Sequence, residues 1–330
     1  MQVRTEQSRI SAATLPATSL IICSRNRPRM LSETIGSVLQ GGEVPSELVI
    51  VDDSDAQNPD LATRAIDRGS RIRYLWTQSE GLGRARNAGI AVASNPILAF
   101  IDDDMRVASN WFGSLIRALI TVGPHAVVTG RVFAGEADFP DGFAPSIKTD
   151  TIPAVYKGRV DKGVLFTNNM AIYRSAFEEI GLFDERLGIG SHFPSSEDND
   201  YCFRLLEAGY EIHYVPDAVV YHRAWRRRRD FARLEWNYGR GQGAYYAKYL
   251  SFRDRYMLGR MIRDIFFRVA HAILATWRGP KHRLYGDIAY VLGTLSGAIE
   301  WLSTEGWGVL RNSNPTIPSQ LSERFHCPED

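Results

Sequence analysis

The stretch of this 330-residue chain that most restricts its fold is Ile97-Leu98-Ala99-Phe100-Ile101, followed at once by Asp102-Asp103-Asp104. Five consecutive apolar residues read as a strand buried on both faces, as in a parallel sheet, with three carboxylates at its carboxyl end. Like charges in a row repel, so an ordered chain keeps them only beside a counter-charge. A divalent cation held by hard oxygen ligands is the natural candidate. On this stretch alone, an acidic loop capping the next helix is the alternative.

The charges of the whole chain nearly cancel, 39 Lys and Arg against 38 Asp and Glu, which argues against nucleic acid as a partner. The 44% hydrophobic content suits one large or two modest domains. Cys23, Cys202 and Cys327 form neither a metal-ligand spacing nor a disulfide framework, which favours a reducing compartment. Residues 1–17 lack the apolar core of a signal peptide and read as a flexible polar arm. Ile288 to Ile299 is closed by Asp287 and Glu300, well short of the roughly 20 apolar residues of a spanning helix. The expectation is a cytoplasmic protein, at most held at the inner face of a membrane.

Along the chain, Ser19-Leu20-Ile21-Ile22-Cys23 reads as a first strand ended by Ser24-Arg25-Asn26-Arg27-Pro28. Leu31, Ile35, Val38 and Leu39 then share a helical face that stops at Gly41-Gly42. Leu48-Val49-Ile50-Val51 is a second strand, with Asp52-Asp53-Ser54-Asp55 behind it. Strand, helix and apolar strand make a right-handed parallel unit. A third strand at Ile72–Trp76, a helix to about Ala93, the Ile97 strand, a helix from Trp111 and a strand at Ala126–Gly130 continue the alternation. Two acidic clusters thus fall after strands, where open α/β sheets bind ligands.

Gly81-x-Gly83 precedes a helix, but it follows a later strand and lacks the third glycine of the dinucleotide fingerprint. It reads either as a flexible helix start or as a turn bringing Arg84 or Arg86 to a phosphate. Residues 133–160, rich in Gly, Pro and Asp, read as a long connection over the site. Glu197-Asp198-Asn199-Asp200 opens a helix stopped by Gly209, with more acid in its first turn than the helix dipole needs. Two short strands follow, His213–Pro216 and Val219–Tyr221, with His222 ending the second.

The ordered motifs are Ser19 to Arg27, Val51-Asp52-Asp53-Ser54, Ala85-Arg86-Asn87-x-Gly89, Phe100-Ile101-Asp102-x-Asp104, Asn168-Asn169-Met170, Phe183-Asp184-Glu185, Glu197-Asp198-x-Asp200 and Val220-Tyr221-His222. Together they resemble the GT-A glycosyltransferases, and specifically family 2 of inverting enzymes, over Thr18 to Arg223. The resemblance implies an α/β fold of the GT-A type, a nucleotide-diphospho-sugar transferase with a Rossmann-like mixed sheet. Residues 18–223 would be the catalytic domain, with the nucleotide-sugar half in 18–130 and the acceptor half in 131–223. It also implies inverting, metal-dependent transfer from a nucleotide-sugar, UDP-linked in the first instance, to a hydroxyl of a carbohydrate or lipid-linked acceptor in polysaccharide or glycolipid synthesis. Ser24, Arg25, Asp53, Arg86, Asp102 and Asp103 would then bind the donor.

Asp102-x-Asp104 matches the DxD motif that holds Mn2+ or Mg2+ on the diphosphate. Many relatives carry a further Asp next, where this chain has Met105. His222 lies where some relatives supply a third ligand, and an imidazole in that shell favours Mn2+. An acceptor hydroxyl needs a carboxylate to take its proton during attack. Asp198 fits that base, with Glu197 as its rival. The alternative has Glu197 capping the helix and Asp198 bridged to Arg204. A retaining GT-A enzyme, or a protein that binds nucleotide-sugar without turnover, also stays open.

Beyond Arg223 the character changes. Arg226-Arg227-Arg228-Arg229 is followed by an aromatic stripe of Phe231, Leu234, Tyr238, Tyr245 and Tyr249. Between 251 and 310, Met257, Met261, Ile262, Ile265, Phe266 and Val269 alternate with Arg253, Arg255, Arg260, Arg263 and Arg268. Residues 224–310 read as a helical C-terminal extension, either packed on the catalytic domain or lying in the plane of an anionic membrane. Residues 311–330 read as a loose tail.

Overall fold

Alternate residues of the first strand, β1 (Thr18–Ser24), enter opposite cores. Ile21 packs with Val49, Val51 and Phe100 on one side, while Leu20 and Ile22 pack with Leu48, Ile50 and Ala99 on the other. Burial on both faces is why these strands are continuous apolar runs. The structure, a computed structural model, describes residues 14–66, 71–78, 80–137, 139–140, 142–278 and 281–305. Most of the expected N-terminal arm, the tail from 311 and Cys327 lie outside the described residues.

The first half alternates β1, α1 (Pro28–Leu39), β2 (Glu47–Asp52), α2 (Pro59–Ile66), β3 (Ile72–Trp76), α3 (Leu82–Val92), β4 (Ile97–Asp102), β5 (Met105–Val107), α4 (Trp111–Val122) and β6 (Ala126–Ala134). The second half has β7 (Ala154–Tyr156), β8 (Asn169–Tyr173), α5 (Arg174–Ile180), α6 (Glu197–Glu207) and β9 (Glu211–His222). Three helices follow, α7 (Phe231–Lys248), α8 (Tyr256–Arg278) and α9 (Lys281–Thr304). Sheet order is β3-β2-β1-β4-β8-β6-β9-β5, with β7 also on β9. The strands β3, β2, β1 and β4 are mutually parallel, whereas β8 runs against both β4 and β6. The mixed α/β sheet expected from the sequence is thus present, with α3, α5 and α6 over one face and α1 and α4 over the other.

Three elements escape the sequence reading. α2 is only two turns long, and β5 and β7 are three residues each, too short to show a period. The two strands expected at 213–216 and 219–221 are one strand, β9, broken by a bulge. Gly130 pairs with Val215 but Arg131 pairs with Val219, so Pro216, Asp217 and Ala218 are looped out. Proline has no ladder donor, and a bulge accommodates it.

Asn169 makes that bulge affordable. Its amide nitrogen donates to the carbonyls of Arg131 and Ala218, at 3.0 and 2.9 Å, and its amide oxygen accepts from the Trp111 indole at 2.8 Å. Three buried groups therefore depend on one fully buried side chain. Downstream of the bulge, β9 pairs with β5 so that His222 lies opposite Met105.

The C-terminal helices pack on the α/β half. Gly239, Gly243, Gly293 and Gly297 let the α7 and α9 backbones approach so closely that a Cβ at Gly297 would overlap the carbonyl of Arg240. Of the five arginines noted between 253 and 268, three turn inward or pair with the domain. Arg260 donates to Tyr245, Arg263 pairs with Asp161, and Arg268 pairs with Asp287 and Glu235. No helix among the described residues is long and apolar enough to cross a membrane.

Replacing Asn169 with Leu leaves the Trp111 donor and two carbonyls unpaired at about 1–3 kcal/mol each. The expected loss is about 3 kcal/mol or more, read as a lower urea midpoint in chemical denaturation. Wild-type stability in Asn169→Leu would contradict this account of the bulge.

Candidate active site

The carboxyl ends of β1, β2 and β4 deliver Ser24, Asp53 and Asp102 to one rim of the sheet. A cleft of about 610 Å3 opens there, and Ser24, Arg25, Asp53, Arg86 and Asp102 line it. So do Asp103, Asp104, Glu197, Asp198 and His222, so the ten residues expected to bind donor or metal or to act as base meet at one cavity. Its far wall comes from Pro145 and Ser146 of the long connection, and from Tyr238, Gln242 and Tyr290 of α7 and α9.

The three consecutive carboxylates each find a different counter-charge. Asp103 turns inward, where Ser24 Oγ donates to it at 2.7 Å and Arg27 Nη1 at 3.2 Å. Arg27 also reaches Asp104, at 3.0 Å. Burial, reinforced by Asp104, pushes the Asp103 carboxyl up to about 6. The turn itself is pinned by Thr34, whose hydroxyl lies 2.7 and 2.8 Å from the backbone carbonyls of Asp103 and Met105.

His222 Nε2 lies 3.2 Å from Asp104 Oδ1. Burial opposes charge on both groups, but their mutual attraction outweighs it, holding the Asp104 carboxyl below its usual range and the His222 imidazole above. Neither Asp104 Oδ1 nor His222 Nδ1 has an aligned hydrogen-bond partner, although both are buried. Asp102, Asp104 and His222 each offer a ligand atom within 4.8 Å of the others. Two carboxylates and one imidazole, two of their atoms unsatisfied, fit a divalent cation such as Mn2+.

Across the cleft, the buried Arg86 guanidinium ties two elements together, at 3.1 Å to Glu197 and 3.4 Å to Asp102. Asp198, half-buried beside it, is pushed up to about 7 by burial and then by the Glu197 charge. The N-terminus of α6 is fixed from outside the sheet. Ser196 adopts a left-handed φ of 74°, a conformation that surrounding contacts must enforce. Here α7 supplies them: Ser196 Oγ and Asn199 Nδ2 both donate to Gln242 Oε1 at 2.9 Å, and Ser195 Oγ donates to the Tyr238 carbonyl at 3.0 Å.

The model of Glycosyl transferase family 2 matches residues 19–181, from β1 through α5. This stretch belongs to glycosyl transferase family 2. The chain is 29% identical to the succinoglycan biosynthesis protein ExoM of Rhizobium meliloti (strain 1021), over 64% of this chain and 69% of that one. It is 25% identical to the glucosyl-dolichyl phosphate glucuronosyltransferase of Haloferax volcanii, over 64% and 71%. Among solved structures it is similar to GalNAc-T7 with UDP, GalNAc and Mn2+, at a TM-score of 0.53 and 19% identity. That likeness covers 74% of this chain and about half (53%) of the other, and it places the fold among the GT-A glycosyltransferases.

In this glycosyltransferase, several side chains take partners other than those the alternative readings of the sequence gave them. Arg204 pairs with Asp200 at 3.0 Å, not with Asp198. Glu197 makes its ion pair to Arg86 instead of capping α6, for which no side-chain cap bond forms. Arg84 is exposed and pairs with Glu185, while Arg25 reaches Asp55 at 3.7 Å. Asp53 accepts long bonds from the backbone N–H groups of Glu80 and Gly81, at 3.3 and 3.4 Å. The contribution of Arg27 went unnoticed in the sequence, where it is one of two arginines in the loop after β1. So did Gln242, which lies in no motif.

Arg86→Ala should cost about 3–5 kcal/mol, because it strands Glu197 and Asp102 without their shared counter-charge. Urea denaturation monitored by tryptophan fluorescence measures this directly; a loss under 1 kcal/mol would show that surface-like screening governs the pair.

Proposed function

We propose that this enzyme is an inverting, metal-dependent glycosyltransferase that moves a sugar from a nucleotide-sugar, UDP-linked in the first instance, to a hydroxyl acceptor. The observation that carries the reading is a single cleft that holds both a carboxylate with a raised pKa and a three-ligand acidic cluster. In a direct displacement, the acceptor oxygen forms a bond to the anomeric carbon as the bond from that carbon to the phosphate oxygen breaks. The acceptor proton passes to Asp198, and the nucleoside diphosphate leaves with the bonding pair. Attack and departure on opposite faces invert the configuration.

Asp198 is suited to this as a base with a pKa near 7, which balances availability against proton affinity. Arg86 holds Glu197 beside it, so that Glu197 keeps the Asp198 pKa raised, and Gln242 fixes the backbone turn that carries Asp198. Asp102, Asp104 and His222 would hold the cation, with Mn2+ favoured. When bound, such a cation neutralises negative charge developing on the leaving diphosphate. Ser24 and Arg27 hold Asp103, Arg27 and His222 hold Asp104, and Asp102 is the most exposed of the three to the cleft. Asp53 and Arg25, at the ends of β2 and β1, border the part of the cleft that would take the nucleoside.

The acceptor class is a carbohydrate or lipid-linked carbohydrate. The names of two relatives support this, one a succinoglycan biosynthesis protein and the other acting on glucosyl-dolichyl phosphate.

Asp198→Asn should lower kcat by at least about a hundredfold while leaving the donor-induced rise in melting temperature intact. For the wild type, transfer needs Asp198 ionised, so kcat/KM rises with pH through a midpoint near 7. Retained turnover in Asp198→Asn, or retention of anomeric configuration in the product, would rule the base out.

Thermal unfolding with UDP-sugars and Mn2+ should shift upward, by about 2.7 kcal/mol at a hundred times the dissociation constant. EDTA, or the pair Asp102→Asn and His222→Ala, should abolish the metal-dependent part of that shift. A donor shift indifferent to EDTA would remove the metal from the reading.

A further inference from the structure

The solvent side of the α8–α9 hairpin is apolar along nearly its whole length. On α8, Ile262, Phe266, Phe267, Ile273 and Leu274 are between 57 and 69% exposed. On α9, Tyr285, Ile288, Leu292, Leu295 and Ile299 form one stripe at intervals of three and four residues, between 43 and 68% exposed. That spacing keeps the α9 residues on one helical face, opposite the glycines that pack on α7. Scattered exposed apolar residues need no explanation, but two adjoining helices covered with them do.

The charges of the hairpin are sorted. Each of its acidic groups is spent inward: Asp264 accepts from the Tyr246 and Tyr290 hydroxyls, Asp287 pairs with Arg268 and His271, and Glu300 pairs with Arg240 and His192. By contrast, Arg253 and Arg255 at the start of α8, Lys281 and Arg283 at the start of α9, and Arg228 before α7 have no ion-pair partner among the described residues and are exposed. The surface is therefore apolar with an unmatched cationic border.

Beside that border lies a second cavity, of about 440 Å3, between the end of α8, the start of α9 and the Gly142-Phe143 segment. Arg228, Arg283, His271 and His282 line it, and its one lining carboxylate, Asp287, is already held by Arg268 and His271. Its unpaired donors suit a phosphate group.

We propose that the α8–α9 hairpin docks this enzyme on a bilayer surface rich in anionic phospholipid, with the cavity at Arg228 and Arg283 taking a lipid phosphate. An in-plane helix buries its apolar face among the acyl chains while flanking Lys and Arg meet the headgroups. The competing occupant, a second copy of the chain, would bring the same cations to the contact with no free acids to match them. Phosphate headgroups supply the missing charge. The cavity also adjoins the catalytic cleft, because Phe143 pairs with Arg226, which lines it. The inference stands on the hairpin alone and does not depend on the proposed chemistry.

The test is co-sedimentation of the full chain with vesicles of phosphatidylglycerol and phosphatidylcholine, against phosphatidylcholine alone, at low and high salt. The expected result is binding to the anionic vesicles only, weakened by salt. Ile262→Glu with Phe266→Glu should abolish it, and Arg228→Gln with Arg283→Gln should weaken it by roughly 25-fold, at about fivefold for each cation near the surface. These side chains lie outside the core, so melting temperatures should hold; if the double Glu variant fails to fold, Phe267→Ser with Leu274→Ser replaces it. Equal binding to both vesicle types, or none to either, overturns the proposal. Sedimentation velocity showing a dimer that the Glu pair dissociates, without vesicle binding, assigns the face to a second copy instead. A thermal shift with inorganic phosphate, lost in the Gln pair but unaccompanied by vesicle binding, reduces the cavity to a free-anion site and likewise overturns docking.

Discussion

Repulsion among Asp102, Asp103 and Asp104 is the constraint around which the active site is built. Three adjacent carboxylates at the end of a buried strand cannot all be left to solvent or to one another. The chain solves this with separate cations from separate elements: Arg27 from the loop after β1, Arg86 from α3 and His222 from the end of β9. The charges do not cancel completely. Asp104 keeps one oxygen without a hydrogen bond in the interior, and His222 keeps one ring nitrogen in the same condition. That residual demand suits the cation proposed for Asp102, Asp104 and His222.

Arg86 links that cluster to the opposite wall of the cleft. By contacting Asp102 and Glu197 it fixes the spacing between the end of β4 and the start of α6. The proposed base and leaving-group site would need such a fixed span, since small misplacements of reacting groups cost large factors in rate. The strain in Ser196 belongs to the same arrangement. A left-handed serine at the start of α6 persists because Gln242 and the α7 carbonyls hold its neighbours. The C-terminal helices are therefore part of the site as well as its support, and α7 reaches the cleft through Tyr238 and Gln242.

The outer faces of the same hairpin behave differently. Where α9 meets α7, glycines allow close backbone contact. Where it meets solvent, large apolar side chains remain uncovered. Burying apolar surface is favourable, and among the described residues the protein itself covers only the first face.

The sequence by itself determined the alternating α/β architecture, because burial on both sheet faces writes continuous apolar runs into β1, β2 and β4. It also determined the positions of the acidic clusters, because strand ends and the loops after them are local. The ten candidate residues that line the cleft were legible for that reason. What only the tertiary structure decided is which charge meets which. Nothing local in the sequence pairs His222 with Asp104; that contact exists because the short strand β5 adds to β9 beyond a bulge whose register Asn169 sets. Arg27, Arg86 and Gln242 take their partners from segments far away in the chain, and the preference of Arg204 for Asp200 over Asp198 turns on side-chain direction around one helical turn. Long-range pairing depends on register and on where side chains point in the packed molecule, and neither is a property of the neighbouring residues in the chain.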